Sequence, residues 1–217
     1  MSSGVAIRPY ERRDRVSVRA IACETADRGH PAQDYLEEHE VLADFLTRYY
    51  TDYEPQTIWV AESQGAVIGY LTGCLDSRRY RRIMGWRVVP QVGMKAIAHG
   101  VLGSRQTVRL LQAAITTWRA GGFRRQVPLK RYPAHFHINI RESFRGRAVG
   151  PQLLARFIEH VQSAGLGGLH AAVREDNRLA CRFFERMGFT VLSRHAVTMP
   201  DGAGFSSHVT LMYGRQV

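Results

Sequence analysis

Arg145-Gly146-Arg147-Ala148-Val149-Gly150, followed by Pro151, is the stretch that decides the fold of this 217-residue chain. Ahead of it stands His135-Phe136-His137-Ile138-Asn139-Ile140, where Phe136, Ile138 and Ile140 alternate with His135, His137 and Asn139. That period of two predicts a strand with unlike faces. Behind it, Leu153, Leu154, Phe157, Ile158 and Val161 recur at helical spacing until Gly165, and Pro151 suits a first helical turn. A strand, a glycine-bearing loop and a helix start present several unpaired backbone N–H groups and a positive helix end to one anion. A diphosphate is the natural guest.

Working outward, Leu169–Val173 reads as a further strand. Asn177–Met187 reads as a helix with Leu179, Ala180, Phe183 and Met187 on one side, ended by Gly188. Phe189-Thr190-Val191-Leu192 and His208–Tyr213 close the chain as strands around Pro200-Asp201-Gly202. Upstream, Ala6-Ile7-Arg8-Pro9 is a short strand. Two helices follow, one around Val16 and Ile21, the other from Tyr35 to Tyr50 with Leu36, Val41, Leu42, Phe45 and Leu46 inward, separated at Gly29-His30-Pro31. Thr57–Glu62 and Ala66–Leu71 flank Ser63-Gln64-Gly65 as a hairpin. Ser104 is placed to cap a helix whose Val108, Leu111, Ile115 and Trp118 share a face, ended by Gly121-Gly122. The order predicts an α/β fold with a mixed sheet, all 217 residues forming one domain.

The composition, 45% hydrophobic and 23% charged, fits a globular protein, and no apolar run approaches the roughly 20 residues of a membrane span. The N-terminus lacks a secretory pattern, and three scattered cysteines point to a reducing, cytoplasmic setting. The net charge is +11, unevenly spread: from Ser77 to Arg141 there is no acidic residue and there are 14 basic ones. Such a block attracts anions, or is a solvated basic face.

The loop 145–150 together with Asn177-x-x-Ala180-x-x-Phe183-Phe184-Glu185-Arg186-Met187-Gly188-Phe189 resembles the two signatures of the GNAT superfamily of N-acetyltransferases. Tyr132-Pro133-Ala134-His135-Phe136-His137 carries a weaker likeness to the acetyltransferase-like domains attached to some O-GlcNAc hydrolases. The GNAT resemblance implies a mostly antiparallel sheet whose two central parallel strands splay apart around acetyl-CoA. It implies that the backbone of Ile138, Asn139 and Ile140 meets the pantetheine arm. It further implies that Arg145, Gly146, Arg147, Ala148, Val149 and Gly150 hold the diphosphate, that Asn177 hydrogen-bonds the cofactor, and that Phe183 and Phe184 wall the channel. Two positions depart from the family. Ala148 replaces a usual glycine, tolerable where φ is not positive. Phe184 replaces a tyrosine that protonates the leaving thiolate, so another acid serves or the thiolate leaves unassisted.

Amine acetylation needs a base, because an alkylammonium of pKa about 10 must first lose a proton. His135 and His137 have suitable intrinsic pKa values and the right parity; the alternative for each is a polar bridge between strands. Asn139 shares their face but only orients. Tyr213 is the fallback acid, by position. Asp176 is available to cap the helix after it, which would free Asn177. No metal-ligand spacing or rival catalytic motif is present, so no metal is expected. In the family, strands three and four join through a short connection; here about 58 residues, 76–133, intervene. This basic insertion is expected to lid the site or form a homodimer contact, and to favour an anionic small-molecule or peptide amine as acceptor. The rival classes are a catalytically silent acyl-CoA sensor and a basic nucleic-acid or anion-binding module.

Overall fold

The computed structural model describes residues 4–26, 38–122, 127–201 and 204–217, without the side chain of Leu102. Its centre is a seven-stranded sheet in the order β1-β2-β3-β4-β5-β7-β6. The strands are β1 (Ala6–Pro9), β2 (Ile58–Ser63), β3 (Ala66–Cys74), β4 (Ala134–Ile140), β5 (Gly168–Arg174), β6 (Thr190–Asp201) and β7 (Gly204–Gln216). Every neighbouring pair is antiparallel except β4 with β5. The fold is thus the mixed, mostly antiparallel α/β sheet expected from the sequence.

Local chemistry accounts for the connections. Gln64 and Gly65 turn β2 into β3 with φ of 52° and 76°, the two positive values of the tight hairpin turn. α1 (Arg15–Glu24) and α2 (His39–Tyr53) cover one face of the sheet. α6 (Val149–Ser163) and α7 (Arg178–Arg186) cover the other. The main core lies under α6, where Leu153, Leu154, Phe157 and Val161 meet Leu71, Phe136 and Leu169 with no exposure above 1%. α6 approaches so closely that a Cβ at Gly73 would stand 2.0 Å from the Phe157 ring. Buried Asp44 ties three helices together: Arg19 of α1 binds it, and Lys95 reaches it at 2.8 Å.

Between β3 and β4 the described residues hold three helices rather than the single one legible from the pattern: α3 (Ser77–Ile83), α4 (Val89–Ala98) and α5 (Arg105–Arg119). A π-helical turn, Met84–Val88, runs α3 into α4. Asp76 starts α3 by accepting hydrogen bonds from the Arg78 and Arg79 N–H groups, and Ser104 caps α5 at the Thr107 N–H as its spacing suggests. α5 packs on β6 through Thr117, whose hydroxyl accepts from the Thr198 N–H at 2.9 Å.

Several expectations need correction. Phe45 is 47% exposed, since α2 turns Val41 and Leu42 inward instead. Leu179 is 77% exposed, because the buried face of α7 is Cys181 and Phe184. Phe189 packs in the core ahead of β6, and β6 and β7 run on as a long hairpin past the short strands expected. Leu36 and the Gly29-His30-Pro31 break lie outside the described residues.

Candidate active site

β4 and β5 pair only at Ala134↔Leu169 and His135↔His170, then part. The Arg141 N–H donates to the Ile68 carbonyl at 3.0 Å. Antiparallel pairing alternates, so Arg141, Asn139, His137 and His135 spend their backbone groups on β3. The N–H and C=O groups of Ile138 and Ile140 therefore point into the gap that β5 has left. A wedge with an unpaired strand edge is what the splay provides, and the Arg145 Nε–H already donates to the Ile140 carbonyl at 3.0 Å.

The wedge ends at the start of α6. Gly146 has φ 76° and Ala148 φ 58°, so the chain reverses twice before the helix begins at Val149. Gly146, Arg147 and Ala148 are exposed and their surroundings open, and Arg147 lies 5.2 Å over the Phe144 ring. Ala148 thus stands in the left-handed region, the conformation in which alanine is strained. At Gly150 a Cβ would come within 3.2 Å of the Phe183 ring, a tight contact, and 3.5 Å of the Ile140 side chain, an ordinary one.

The two sheet faces carry different chemistry. On the α2 side, His135 is 8% exposed and both its ring nitrogens are engaged, Nδ1 at 2.7 Å from the Ser77 hydroxyl and Nε2 at 3.1 Å from the Tyr50 hydroxyl. Ser77 donates its proton to the Pro133 carbonyl at 2.6 Å, so the assignment that satisfies every group has His135 donating from Nδ1 and accepting at Nε2. Tyr80 packs on its ring edge-on at 4.5 Å. Burial drives its pKa well below the usual histidine value, helped by His137, His170 and Arg81. His170 of β5, whose Nδ1 meets the Tyr132 carbonyl at 3.0 Å, is likewise pushed down to about 4 by burial. Both rings are neutral near pH 7.

His137 differs. It points to the same side but is exposed, stands 5.9 Å from the Tyr50 ring, and has no hydrogen bond to its own ring among the described residues. Desolvation by the surrounding wall lowers its pKa as well. Asn139, next on this face, donates to the Tyr70 hydroxyl at 2.7 Å. Of the two histidines singled out by parity, one is locked in a buried network and one is exposed.

On the α7 side the sequence reading shifts in three places. Asn177 is itself the α7 cap, its Oδ1 accepting from the Ala180 N–H at 3.1 Å, while Asp176 pairs with Arg174 at 2.7 Å. Only Asn177's amide nitrogen is left for a ligand. Phe184 is 4% exposed and packs among Phe136, Phe183, Phe189 and Tyr213, so it is core; Phe183, half-buried beside Gly150, is the ring at the wedge. Tyr213 is 1% exposed and donates to Glu185 at 3.2 Å, and burial raises its pKa. Its hydroxyl serves α7, on the face opposite His137. Among the described residues no group of three His, Cys, Asp or Glu could hold a metal ion, and no helix is long and apolar enough to cross a membrane.

Residues 109–189, from within α5 through the loop and α7 to Phe189, match the acetyltransferase (GNAT) family. The fold is that of the GNAT superfamily. Three solved structures share it over nearly the whole chain. SsHAT is 23% identical, with 98% of each chain covered and a TM-score of 0.74. The yncA protein from Salmonella typhimurium, solved with its cofactor acetyl-CoA, is 17% identical, with 98% of this chain and 93% of that one covered and a TM-score of 0.58. Ribosomal-protein-alanine N-acetyltransferase from Brucella melitensis is 16% identical, with 98% and 99% covered and a TM-score of 0.56.

The sequence reading missed His170, Tyr50, Tyr80 and Ser77, which build the buried network around His135. Tyr50 and His170 are at least 30 residues from β4 in the chain, and no local pattern joins them. The Ser77 and Tyr80 pair, three apart, was a helix-face signal hidden inside an arginine run.

Proposed function

We propose that this protein is an acetyl-CoA-dependent acetyltransferase of the GNAT superfamily acting on a primary amine, with direct attack in a ternary complex. The observation that carries the reading is the wedge between β4 and β5, with the Ile138 and Ile140 backbone turned away from β3 along its edge, the Ile140 carbonyl held by Arg145, and the α6 start at its end. The residues fit the cofactor: a Cβ-free Gly150, an open loop with two positive φ angles, and helix N–H groups facing outward. Acetyl-CoA supplies an acetyl group on a good leaving thiol. The N–H groups of 145–150 hold its diphosphate, the Ile138 and Ile140 edge takes its pantetheine amides, and the Asn177 amide nitrogen adds a donor.

His137 takes the proton from the incoming ammonium, because it is the exposed neutral imidazole of β4. His135, Tyr50 and Ser77 hold the strand and wall it stands on. Asn139, held by Tyr70, orients the acceptor. Phe184 has no proton to give and Tyr213 gives its own to Glu185, so the thiolate leaves without a side-chain acid. A thiol of pKa about 8.5 allows that.

The acceptor carries an anionic group, which Arg81 receives. Ser77, Tyr80 and Arg81 share the face of α3 that packs toward β4, and Ser77 and Tyr80 touch His135. Arg81 is exposed on the same face, with no carboxylate partner among the described residues, and it bears electrostatically on His135 and His170. Arg79 is instead drawn to buried Glu54 at 3.6 Å, and Arg82 faces an outer surface recess with Trp86 and Arg87.

Free-thiol release across a panel of amines, each paired as carboxylate and carboxamide, tests both points. The expected result is turnover favouring the carboxylates, with Arg81→Met erasing the preference and Arg82→Met keeping it. Acetyl-CoA binding without turnover on any amine would favour the silent sensor instead, a reading that the lack of a side-chain acid at Phe184 supports. Turnover with no preference would remove Arg81 from the account and leave the acetyl transfer standing.

A further inference from the structure

Of the arginines on α3, the proposed acetyl transfer uses only Arg81. On the outer side of that helix, Tyr53, Arg79, Arg82, Ile83, Trp86 and Arg87 line an open recess of about 470 Å³. That volume falls within the range of small-molecule sites. Arg82, Trp86 and Arg87 are exposed, the indole at 82%. Ser77, Tyr80 and Arg81, which face β4, take no part in the lining.

The backbone assembles the recess. At α-helical spacing Arg82 and Arg87, five residues apart, would diverge by about 140° around the axis. The π-helical turn Met84–Val88, closed by the Val89 N–H on the Met84 carbonyl, holds an extra residue and turns both arginines to one recess. Met84 and Val88 are buried and anchor that turn. Tyr53 is a fixed wall, its ring stacked at 5.8 Å on that of buried Tyr49.

The charges are not balanced within the chain. Buried Glu54 answers Arg79 at 3.6 Å. Arg82 and Arg87 have no carboxylate partner among the described residues. Guanidinium groups crowded on one recess repel one another, a cost that an anion between them reverses. Two uncompensated cations match one phosphate monoester, which carries nearly two negative charges near pH 7. The exposed indole beside them offers its face to a flat ring.

We propose that this recess binds a nucleotide, its phosphate between Arg82 and Arg87 and its base on the Trp86 indole. The same unit occurs as a free nucleotide and as the 5′-phosphorylated end of a single strand.

Titration of the full chain with adenosine 5′-monophosphate, read by calorimetry and by indole fluorescence, tests this. The nucleotide is expected to bind and to quench the indole emission. Adenosine and inorganic phosphate, each only part of the ligand, should bind at least about 10-fold more weakly. Arg82→Met/Arg87→Met should lose at least about 10-fold in affinity, as hydrogen bonds to a charged group require. Trp86→Ala should lose at least about 5-fold, the low end for stacking one base on an aromatic ring. Both variants should keep the wild-type melting profile, because the three side chains are solvated. Arg145→Met/Arg147→Met, in the loop before α6, should leave the quenching in place. A 5′-phosphorylated octaadenylate separates the two sources: tighter binding than the mononucleotide assigns a strand end, weaker binding a free nucleotide, and either result upholds the site. No binding of either probe, quenching lost in the Arg145/Arg147 variant rather than in the recess variants, or phosphotyrosine binding as tightly as the nucleotide would each overturn the proposal. None of these outcomes depends on the acetyl-transfer reading.

Discussion

Ala148→Gly should stabilise the protein, against the usual effect of placing a glycine beside a helix. Ala148 sits at φ 58°, ψ 16°, immediately before α6. An L-residue with a Cβ pays about 1–2 kcal/mol in the left-handed region, and glycine pays none. Glycine gives back roughly 0.5–1 kcal/mol through its greater freedom in the unfolded chain. The net gain is about 0.5–1 kcal/mol, which for a chain of this size raises Tm by about 1–4 °C. Gly146→Ala is the reciprocal control: φ is 76° and no atom lies within 4 Å of the added Cβ, so the cost is conformational alone. It should lower Tm by about 1–4 °C, strain of about 1–2 kcal/mol being partly offset by roughly 0.5–1 kcal/mol from the stiffer unfolded chain. The strain at Ala148 is present with and without ligand, so it cancels in binding, and calorimetric titration should give the same acetyl-CoA Kd for Ala148→Gly. Thermal melts showing Ala148→Gly below wild type, or Gly146→Ala equal to it, would refute the loop geometry on which the diphosphate site depends.

The buried histidines make stability pH-dependent. His170 titrates near 4 folded and near 6.5 unfolded, so below pH 6.5 the unfolded chain binds the extra proton, and stability falls from pH 6.5 to pH 4 by up to about 3 kcal/mol. Urea titrations should show that slope, and His170→Gln should reduce it, leaving the part due to His135; a wild-type profile flat over this window would contradict the burial. Asn177→Ala should cost about 1 kcal/mol through the lost cap, while Asn177→Asp keeps the stability. An unchanged Tm in the alanine variant would mean that the cap contributes nothing. Tyr213→Phe should change kcat far less than the 100-fold or greater loss that follows removal of a general acid; a loss of that size would return the acid role to Tyr213.

The loop and the strand faces beside it were legible from sequence because their cause is local, whereas the splay of β4 from β5 came only with the family resemblance. Alternation across 135–140 sets the strand faces, and Gly146, Gly150 and the α6 apolar spacing set the turn and helix. Ala148 was legible as a departure, but the sign of its φ was not, since that depends on how the loop must turn to enter α6. The roles of His135 and His137 could not be separated by parity, which is all that a strand pattern contains. What separates them is Tyr50 and Ser77, brought from α2 and α3 by the fold. α3 escaped the reading because its arginine-rich sequence has almost no apolar period, with Asp76 as a cap its local signal; α4 with the turn before it has a short one, Val88, Val92 and Ala96, which lies beside Pro90 and Gly93. Val108, Leu111, Ile115 and Trp118 do share one face of α5, yet the helix buries the opposite face, Ala113 and Thr117, against β6, a choice that the apolar spacing does not contain.

The central claim is that the neutral imidazole of His137 takes a proton from an amine held at the β4–β5 wedge. Its most direct test is kcat/KM for acetylation by wild type and His137→Gln, with acetyl-CoA Kd measured alongside. The account predicts turnover in the wild type, with an acid limb below pH 6.5 as burial implies, and a loss of about 100-fold or more in His137→Gln at unchanged Kd. Equal kcat/KM for the two proteins, or no turnover of any amine by the wild type, would contradict it.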